Sequence, residues 1–342
     1  MSRLKNYSLL DLAPIIEGGT ARQALHNSRD LARQAEAMGY KRFWMAEHHN
    51  STGIASAATS VAIGYVAEGT ETIEVGAAGV MLPNHSPLVI AEHYGTLESL
   101  YPGRINLGLG RAPGTDGKTA YALRRENMRA DDTFPQDVQV LQQYFDEGFN
   151  GIKAVPGHGL KVPLWILGSS LFGAQLAAAL GLPYFFASHF APDALDDALA
   201  IYREQFKPGE QLKEPYCGAA INIFAADSDG EGEALKRGTM QGFILLRRGQ
   251  PGPLQPPVPD LTEFASPQEI AMSENVMRES ATGSKESAQA FIEQFLARTQ
   301  VDELILTCHC YNHKDRVKSF GIGAEILNSI QHYNNTKTNL KE

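Results

Sequence analysis

Side chains that could do chemistry occur in five short clusters along the chain. They are Glu47-His48-His49-Asn50, Gly110-Arg111-Ala112-Pro113-Gly114, Gly168-Ser169-Ser170, Ser188-His189 and Cys308-His309-Cys310. In the first cluster, His48 carries an imidazole that can exchange a proton near neutral pH, and Glu47 or His49 could orient it. A buried, hydrogen-bonded histidine without any catalytic role is the competing interpretation.

Metal binding is a further interpretation of the same region. The potential ligands are Glu47, His48, His49, His85 and His93. The chain lacks the helical His-Glu-x-x-His spacing, however, so we predict no metal site. In the last cluster, alternation along a strand would point Cys308 and Cys310 one way and His309 the other, which favours structural thiols over a zinc site.

Two clusters could bind a phosphate. Gly168-Ser169-Ser170 lies between a predicted strand and a predicted helix, where exposed amide groups and two hydroxyls could hold an anion. Arg111 adds a permanent charge that can bind phosphate oxygens in a forked geometry. The alternatives are an ordinary serine helix cap and an ion pair of Arg111 at the rim of the fold.

The elements that must position these clusters follow from apolar runs without strict polar alternation, which are typical of buried parallel strands. Eight such strands are predicted: Leu9–Leu12, Phe43–Ala46, Ile73–Leu82, Ile105–Leu109, Leu164–Leu167, Tyr184–Ala187, Cys217–Ala226 and Glu303–Thr307. Helical patterns fill the gaps, so the sequence predicts an α/β fold, a (β/α)₈ TIM barrel. Every cluster directly follows a strand. We therefore expect the clusters to share one pocket at the carboxyl face.

One segment interrupts the alternation between the seventh and eighth predicted strands. Six prolines fall between Gly249 and Pro267, too many for a helix. We predict a Pro-rich insertion loop over about 249–283, either an exposed insertion or a lid over the barrel mouth. The whole chain, 1–342, is predicted to form a single domain that includes this loop.

Composition excludes several classes of partner. The formal net charge is −9 and basic residues form no stripe, which argues against nucleic acid. No apolar run is long enough to cross a membrane, and the first residues do not resemble a signal peptide. Three cysteines suit a reducing compartment, so a cytoplasmic location is expected.

Four motifs occur in the order and spacing of a known family. They are Trp44-Met45-Ala46-Glu47-His48-His49-Asn50, Val75-Gly76-Ala77-Ala78-Gly79-Val80-Met81-Leu82-Pro83, Tyr101-Pro102-Gly103-Arg104-Ile105-Asn106-Leu107-Gly108-Leu109-Gly110-Arg111 and Pro163-Leu164-Trp165-Ile166-Leu167-Gly168-Ser169-Ser170. With them the chain resembles the bacterial luciferase-like flavin-dependent monooxygenases, particularly their single-chain, luciferase-related branch.

This resemblance implies reduced FMN as cofactor, a separate flavin reductase that supplies it, and a homodimer. It places His48 as the catalytic histidine and a cis peptide at Ala78-Gly79 under the flavin ring. It assigns the cofactor phosphate to Arg111 and Ser170, with Gly168, Ser169 and His189 also around the flavin. The chain departs from the luciferase pattern at Ser169, at Gly173 and at His189.

The function implied is an FMN-dependent monooxygenase, in which reduced FMN and O₂ oxygenate a small organic substrate. No Gly-x-Gly-x-x-Gly fingerprint lies in a first strand-turn-helix unit, so no built-in NADH domain is expected. The alternatives are a deazaflavin (F420)-dependent dehydrogenase, a non-catalytic flavin-binding protein and a metal-dependent barrel hydrolase.

Overall fold

Strands and helices alternate along the part of the chain that the computed structural model describes, residues 3–112, 116–123 and 130–339. The strands are β1 (Asn6–Asp11), β2 (Arg42–Met45), β3 (Glu74–Met81), β4 (Ile105–Gly110), β5 (Leu164–Gly168), β6 (Tyr184–Phe186), β7 (Cys217–Ala225), β8 (Ser280–Gly283) and β9 (Glu303–Thr307). Pro113 and Gly114 of the second polar cluster lie outside the described residues, as do both ends of the predicted domain.

Helices connect these strands. They are α1 (Ala21–Ala37), α2 (Thr59–Ala67), α3 (Pro87–Leu100), α4 (Gly117–Leu123), α5 (Ala130–Phe145), α6 (Leu171–Leu180), α7 (Leu195–Gln205), α8 (Asp229–Arg247), α9 (Pro267–Val276), α10 (Lys285–Thr299) and α11 (His313–Asn339). Over the described ranges, none of them combines the length and apolar character that a membrane span requires.

Eight of the strands close into a ring. All pairings are parallel, in the order β6-β5-β4-β3-β2-β1-β9-β7, and β6 then pairs with β7. The closing ladder aligns Tyr184 with Cys217, and Leu10 of β1 lies opposite Thr307 of β9. The ring strands are buried on both faces because helices cover the outside and side chains fill the inside. The predicted closed (β/α)₈ barrel is confirmed.

Aromatic side chains fill the middle of the barrel. The rings of Trp165 and Phe185 stack at 5.0 Å, and Trp44 meets both edge-on at 5.7 and 5.9 Å. Leu10 and Ile305 complete this inner cluster. Because the interior is packed, a ligand must bind at the rim rather than inside the barrel.

A buried charged layer lies at the amino-terminal ends of the ring strands. Arg42, the first residue of β2, bonds Glu303 of β9 at 2.5 Å and Glu74 of β3 at 2.7 Å. Tyr216 donates its hydroxyl to Glu303 at 2.7 Å. Arg42, Glu74 and Glu303 belong to three different strands. This layer therefore fixes the relative positions of β2, β3 and β9 at the end of the barrel opposite the polar clusters.

The predicted loop over about 249–283 is wrong in its second half. The structure contains α9 from Pro267 and a ninth strand, β8, which pairs with β7 outside the ring. Ser266 caps α9 in a reciprocal capping box with Glu269, and Pro267 occupies the first turn. Proline there initiates a helix instead of breaking it, because a first-turn N–H needs no intrahelical acceptor.

Two further helix predictions differ from the structure. The helical pattern in this part of the sequence covers Pro135–Phe145, whereas α5 begins at Ala130 and α4 precedes it. Both differences flank segments that lie outside the described residues. Pro135 lies inside α5, and the residues before it carry little apolar periodicity.

The charged layer gives a stability prediction. Arg42→Leu removes the cation from the buried Glu303 carboxylate and one of two cations from the half-buried Glu74, so we expect the free energy of unfolding to fall by about 3–5 kcal/mol in denaturant titrations. Arg278→Ala removes an exposed pair with Asp193 and should leave the unfolding midpoint nearly unchanged. Equal effects of the two substitutions would contradict a structural role for the charged layer.

Candidate functional site

Three histidines from separate strand ends lie near one another at the carboxyl face. His48 follows β2, His189 follows β6 and His309 follows β9. Burial lowers the pKa of His189 to about 3, with smaller contributions from His309 and His48. Burial also lowers the pKa of His309 to about 4, helped by Arg316 and by His48. His189 and His309 are therefore neutral at physiological pH and can serve as hydrogen-bond donors or acceptors.

Strand β7 links two of these histidines through its neighbours. The Asn222 amide donates to the His189 carbonyl at 2.8 Å, and Asn222 pairs in register with Thr307 of β9. The Thr307 hydroxyl lies 3.2 Å from Nε2 of His309. Within the described residues, the buried Nδ1 of His189 has no hydrogen-bond partner. A buried polar atom of this kind suits a site that binds a ligand.

Glu47 organises a second histidine pair. Its Oε1 lies 2.8 Å from Nε2 of His49 and 2.7 Å from Nε2 of His85, and its Oε2 accepts the Met81 N–H at 3.4 Å. Burial opposes ionisation of Glu47, but hydrogen bonds and charge from His85 and His49 bring its pKa below the usual value. Glu47 is therefore an anion that ties the loop after β2 to the loop after β3.

The same three groups have the chemistry of a metal-ligand set. The donor atoms of Glu47, His49 and His85 lie within 4.8 Å of one another. Two imidazoles and one carboxylate suit a divalent transition metal. The hydrogen bonds between them also satisfy these groups without an ion, so the cluster does not require one. All three residues are potential ligands by type, although the spacing in the sequence predicts no metal site.

Arg111 lies beside the amino terminus of α6. Its guanidinium stands 4.1 Å above the ring of Phe172, the second residue of that helix. Ser170 occupies the cap position in extended conformation, but its side chain makes no capping hydrogen bond. The first-turn amides therefore keep their hydrogen-bonding capacity, next to a fixed positive charge.

The peptide between Ala78 and Gly79 is cis, as the resemblance implied. A side chain cannot replace Gly79, because a Cβ there would lie 2.6 Å from Leu167 Cδ1 and 2.9 Å from the Gly108 carbonyl oxygen. The β3–β4 register also shifts between Ala77 and Val80. The backbone of β3 is thus closely packed on β4 and β5 just below the site.

A buried ion pair holds the loop after β9. Arg316 of α11 bonds the Asp11 carboxylate at the end of β1, and its Nε donates to the Cys308 carbonyl at 3.2 Å. Ser28 of α1 donates its hydroxyl to Asp11 at 2.5 Å. The position of His309 therefore depends on contacts that join the first and last strands.

The Pro-rich segment lies over the loops that follow β1 and β2. The Leu254 N–H donates to the Ile15 carbonyl at 2.8 Å, and the Leu254 carbonyl accepts the Glu17 N–H at 2.7 Å. Gly53 packs so closely on Gly252 that a Cβ would overlap its carbonyl group. These contacts place the segment at the same end of the barrel as the polar clusters.

Comparison with known proteins identifies the family. The family model described as luciferase-like monooxygenase matches residues 8–301. The chain belongs to the luciferase-like monooxygenase family. A luciferase-like monooxygenase of Escherichia coli K12 is 51% identical over 326 residues, which cover 95% of this chain and 97% of the relative.

Two solved structures agree with the fold. Apo-MsnO8 has a TM-score of 0.88 at 30% identity and covers 94% of this chain and 98% of its own. The oxygenating constituent of 3,6-diketocamphane monooxygenase from Pseudomonas putida, solved with FMN, has a TM-score of 0.68 at 16% identity. That match covers 94% of this chain and 96% of the other, and it shows the shared fold.

Within this luciferase-like barrel, the predicted site residues all lie at or near the carboxyl ends of strands. Two histidines that were assigned neither a catalytic nor a cofactor-binding role also lie there. His85, considered only as a potential metal ligand, joins Glu47, and His309, from the cluster after β9, lies near His48 and His189. Both lie in loops that follow ring strands, which is the sequence signal that places them at this face.

The neutral histidines give a pH prediction. Unfolded histidine binds a proton below about pH 6.5, whereas folded His189 stays neutral to about pH 3. Since the unfolded chain binds more protons in this window, the free energy of unfolding should fall as pH drops from 6.5. The loss is up to about 1.4 kcal/mol per pH unit for each such histidine.

Denaturant titrations of wild type and His189→Asn between pH 4.5 and 7 measure this effect. In the variant, the free energy of unfolding should change less with pH, because asparagine takes up no proton on unfolding. The same slope in both proteins would contradict a neutral, buried His189.

Proposed function

We propose that the protein is an FMN-dependent monooxygenase that uses reduced FMN and O₂ to oxygenate a small organic substrate. The observation that carries the proposal is the juxtaposition of Arg111 with the uncapped amino terminus of α6, on the barrel face that also carries His48. Family membership supports the monooxygenase class. The oxygenating constituent of 3,6-diketocamphane monooxygenase has the same fold and was solved with FMN, which supports FMN as the cofactor proposed here.

The phosphate of FMN fits the groups at the start of α6. Arg111 would donate to its oxygens, while the first amides of the helix and the hydroxyls of Ser169 and Ser170 would donate from the other side. Both serines are exposed, so no buried group must be displaced. Gly168 has no side chain, so nothing at this position blocks approach of the ligand to its backbone.

The ring of the flavin fits against the end of β3. Ala78 and Gly79 offer backbone without bulky side chains, above the packed aromatic interior of the barrel. Reduced FMN, when bound, supplies the electrons that activate O₂. The apolar interior beneath excludes water from that side, and the Pro-rich segment borders the site from the loops after β1 and β2.

His48 is the group proposed to move a proton during the reaction. It follows the anionic Glu47 directly in the chain, and it interacts electrostatically with both His189 and His309. Imidazole is the side chain best suited to general acid–base chemistry, and this one is only half-buried. His189, with its unpartnered Nδ1, would hold the ligand by a hydrogen bond.

An FMN titration tests the cofactor assignment. Arg111→Ala should weaken binding of reduced FMN by roughly 10- to 100-fold, because a charge-assisted contact to phosphate is lost. Riboflavin, which has no phosphate, should bind the variant and wild type equally. Arg247→Ala is the matched control, since Arg247 also stands over a phenylalanine ring, at 5.2 Å, but lies in α8.

The absence of FMN binding in either redox state would contradict FMN as the cofactor. Equal loss of FMN and riboflavin affinity in Arg111→Ala would contradict Arg111 as the phosphate ligand. Binding of the deazaflavin F420 in place of FMN would shift the proposal to a dehydrogenase that needs no O₂.

A His48 variant distinguishes an enzyme from a flavin carrier. His48→Gln should bind reduced FMN as wild type does but change the rate of flavin reoxidation after O₂ is admitted, measured by stopped-flow absorbance. The expected change is about 10-fold or more, since positioned proton transfer commonly contributes 10²–10⁴ in rate. Identical traces for both proteins would favour a non-catalytic flavin-binding protein.

The remaining partners are proposed on the same basis. A separate flavin reductase would supply reduced FMN, a second copy of the chain would complete a homodimer, and the protein would act in the cytoplasm. The resemblance of the sequence motifs implies the reductase and the homodimer, and the three free cysteines suit a reducing compartment.

A further inference from the structure

Two of the three cysteines lie in contact at the end of the last ring strand. The Sγ atoms of Cys308 and Cys310 are 3.1 Å apart, and each residue is 1% exposed. Both side chains point to the same side of the chain, as strand alternation predicts. A disulfide bond is about 2.05 Å long, so the sulfurs need to approach by only about 1 Å.

The surroundings of the pair favour a reactive thiol. Burial opposes ionisation of Cys308, but the Cys310 thiol donates to its sulfur and Arg316 lies nearby, so the pKa of Cys308 is below the usual value. The pKa of Cys310 is raised by the same hydrogen bond and by burial. One member of the pair is thus suited to attack as a thiolate and the other to follow.

The third cysteine has a different environment. Cys217 begins β7 at the opposite end of the barrel, and its sulfur is 3.9 Å from the Asp302 carboxylate. Burial raises the pKa of Cys217 to about 11. Among the described contacts it has no thiol neighbour, and no nearby charge overcomes the effect of burial. Cys217 therefore serves as an unreactive reference thiol for the other two cysteines.

We propose that Cys308 and Cys310 form a reversible intrachain disulfide, a modification site at the edge of the candidate active site. The oxidant is a peroxide. The Cys308 thiolate attacks one peroxide oxygen and forms a sulfenic acid, while the other oxygen leaves as water after protonation. Cys310 then attacks the Cys308 sulfur, the S–S bond forms and a second water leaves. Two thiols lose two electrons, and one H₂O₂ gains them.

This disulfide would move His309, which lies between the two cysteines. Nε2 of His309 is 3.2 Å from Thr307, and its carbonyl accepts a hydrogen bond from Thr239 at 3.0 Å. Arg316 holds the Cys308 carbonyl and limits how far that residue can shift. Closure of the bond would therefore displace mainly the Cys310 side and change the orientation of the imidazole.

Thiol counting on the purified, flavin-free protein tests the proposal. After treatment with H₂O₂, quenching and denaturation, wild type should fall from three reactive thiols to one and lose two hydrogens by intact mass. Dithiothreitol should restore all three. Cys217→Ser, the matched control, should fall from two thiols to none at the same rate.

The single variants of the pair make the test decisive. Cys310→Ala and Cys308→Ala should each retain their two thiols or gain oxygen atoms, and neither should lose two hydrogens. Tryptic mapping should find the bond within one peptide. A disulfide that includes Cys217, a bond between two chains, or sulfur oxygenation without the bond in wild type would overturn the proposal.

A second measurement tests the consequence for His309 and stays interpretable if one variant folds poorly. The imidazole proton signal of His309, assigned with His309→Gln, should shift on oxidation of wild type and return on reduction. In Cys310→Ala the same peroxide treatment should leave it in place. A disulfide that forms without moving this signal would confine the effect to the thiols and refute the proposed change at the site.

Discussion

The buried ion pair between Asp11 and Arg316 is the interaction on which the site most depends. It joins the end of β1 to the start of α11, and Arg316 also holds the carbonyl of Cys308. The neighbouring β1–β9 ladder brings the beginning and the end of the chain together. A charge removed from either partner would leave the other buried without compensation, at a large energetic cost. The loop that carries His309 is therefore fixed by long-range contacts.

The sequence predicted the barrel because its strands are short apolar runs separated by helical patterns. The same alternation predicted that His48, Arg111, Ser170 and His189 would lie at one end, since parallel strands share a carboxyl face. The cis peptide at Ala78-Gly79 was expected from resemblance alone. No local pattern around it distinguishes cis from trans, although Gly79 is required sterically by Leu167 and Gly108.

The errors have specific physical causes. Pro267 was taken as a helix breaker, but after Ser266 and before Glu269 it starts α9. β8 has only four residues and pairs with one neighbour, so it has too little apolar sequence to be recognised. The hydrogen bond between Glu47 and His85 could not be predicted, because the two residues belong to different strand–loop units and their distance depends on strand register rather than on spacing along the chain.

The attachment of the Pro-rich segment has a consequence for its local stability. Leu254 is held by two main-chain hydrogen bonds to the loop after β1, and neither belongs to the closed ladder of the ring. Gln241 of α8 adds side-chain hydrogen bonds to Pro256 and Val258. Detachment of this segment would break these contacts and leave the ring ladders intact, so its amide hydrogens can exchange without global unfolding of the barrel.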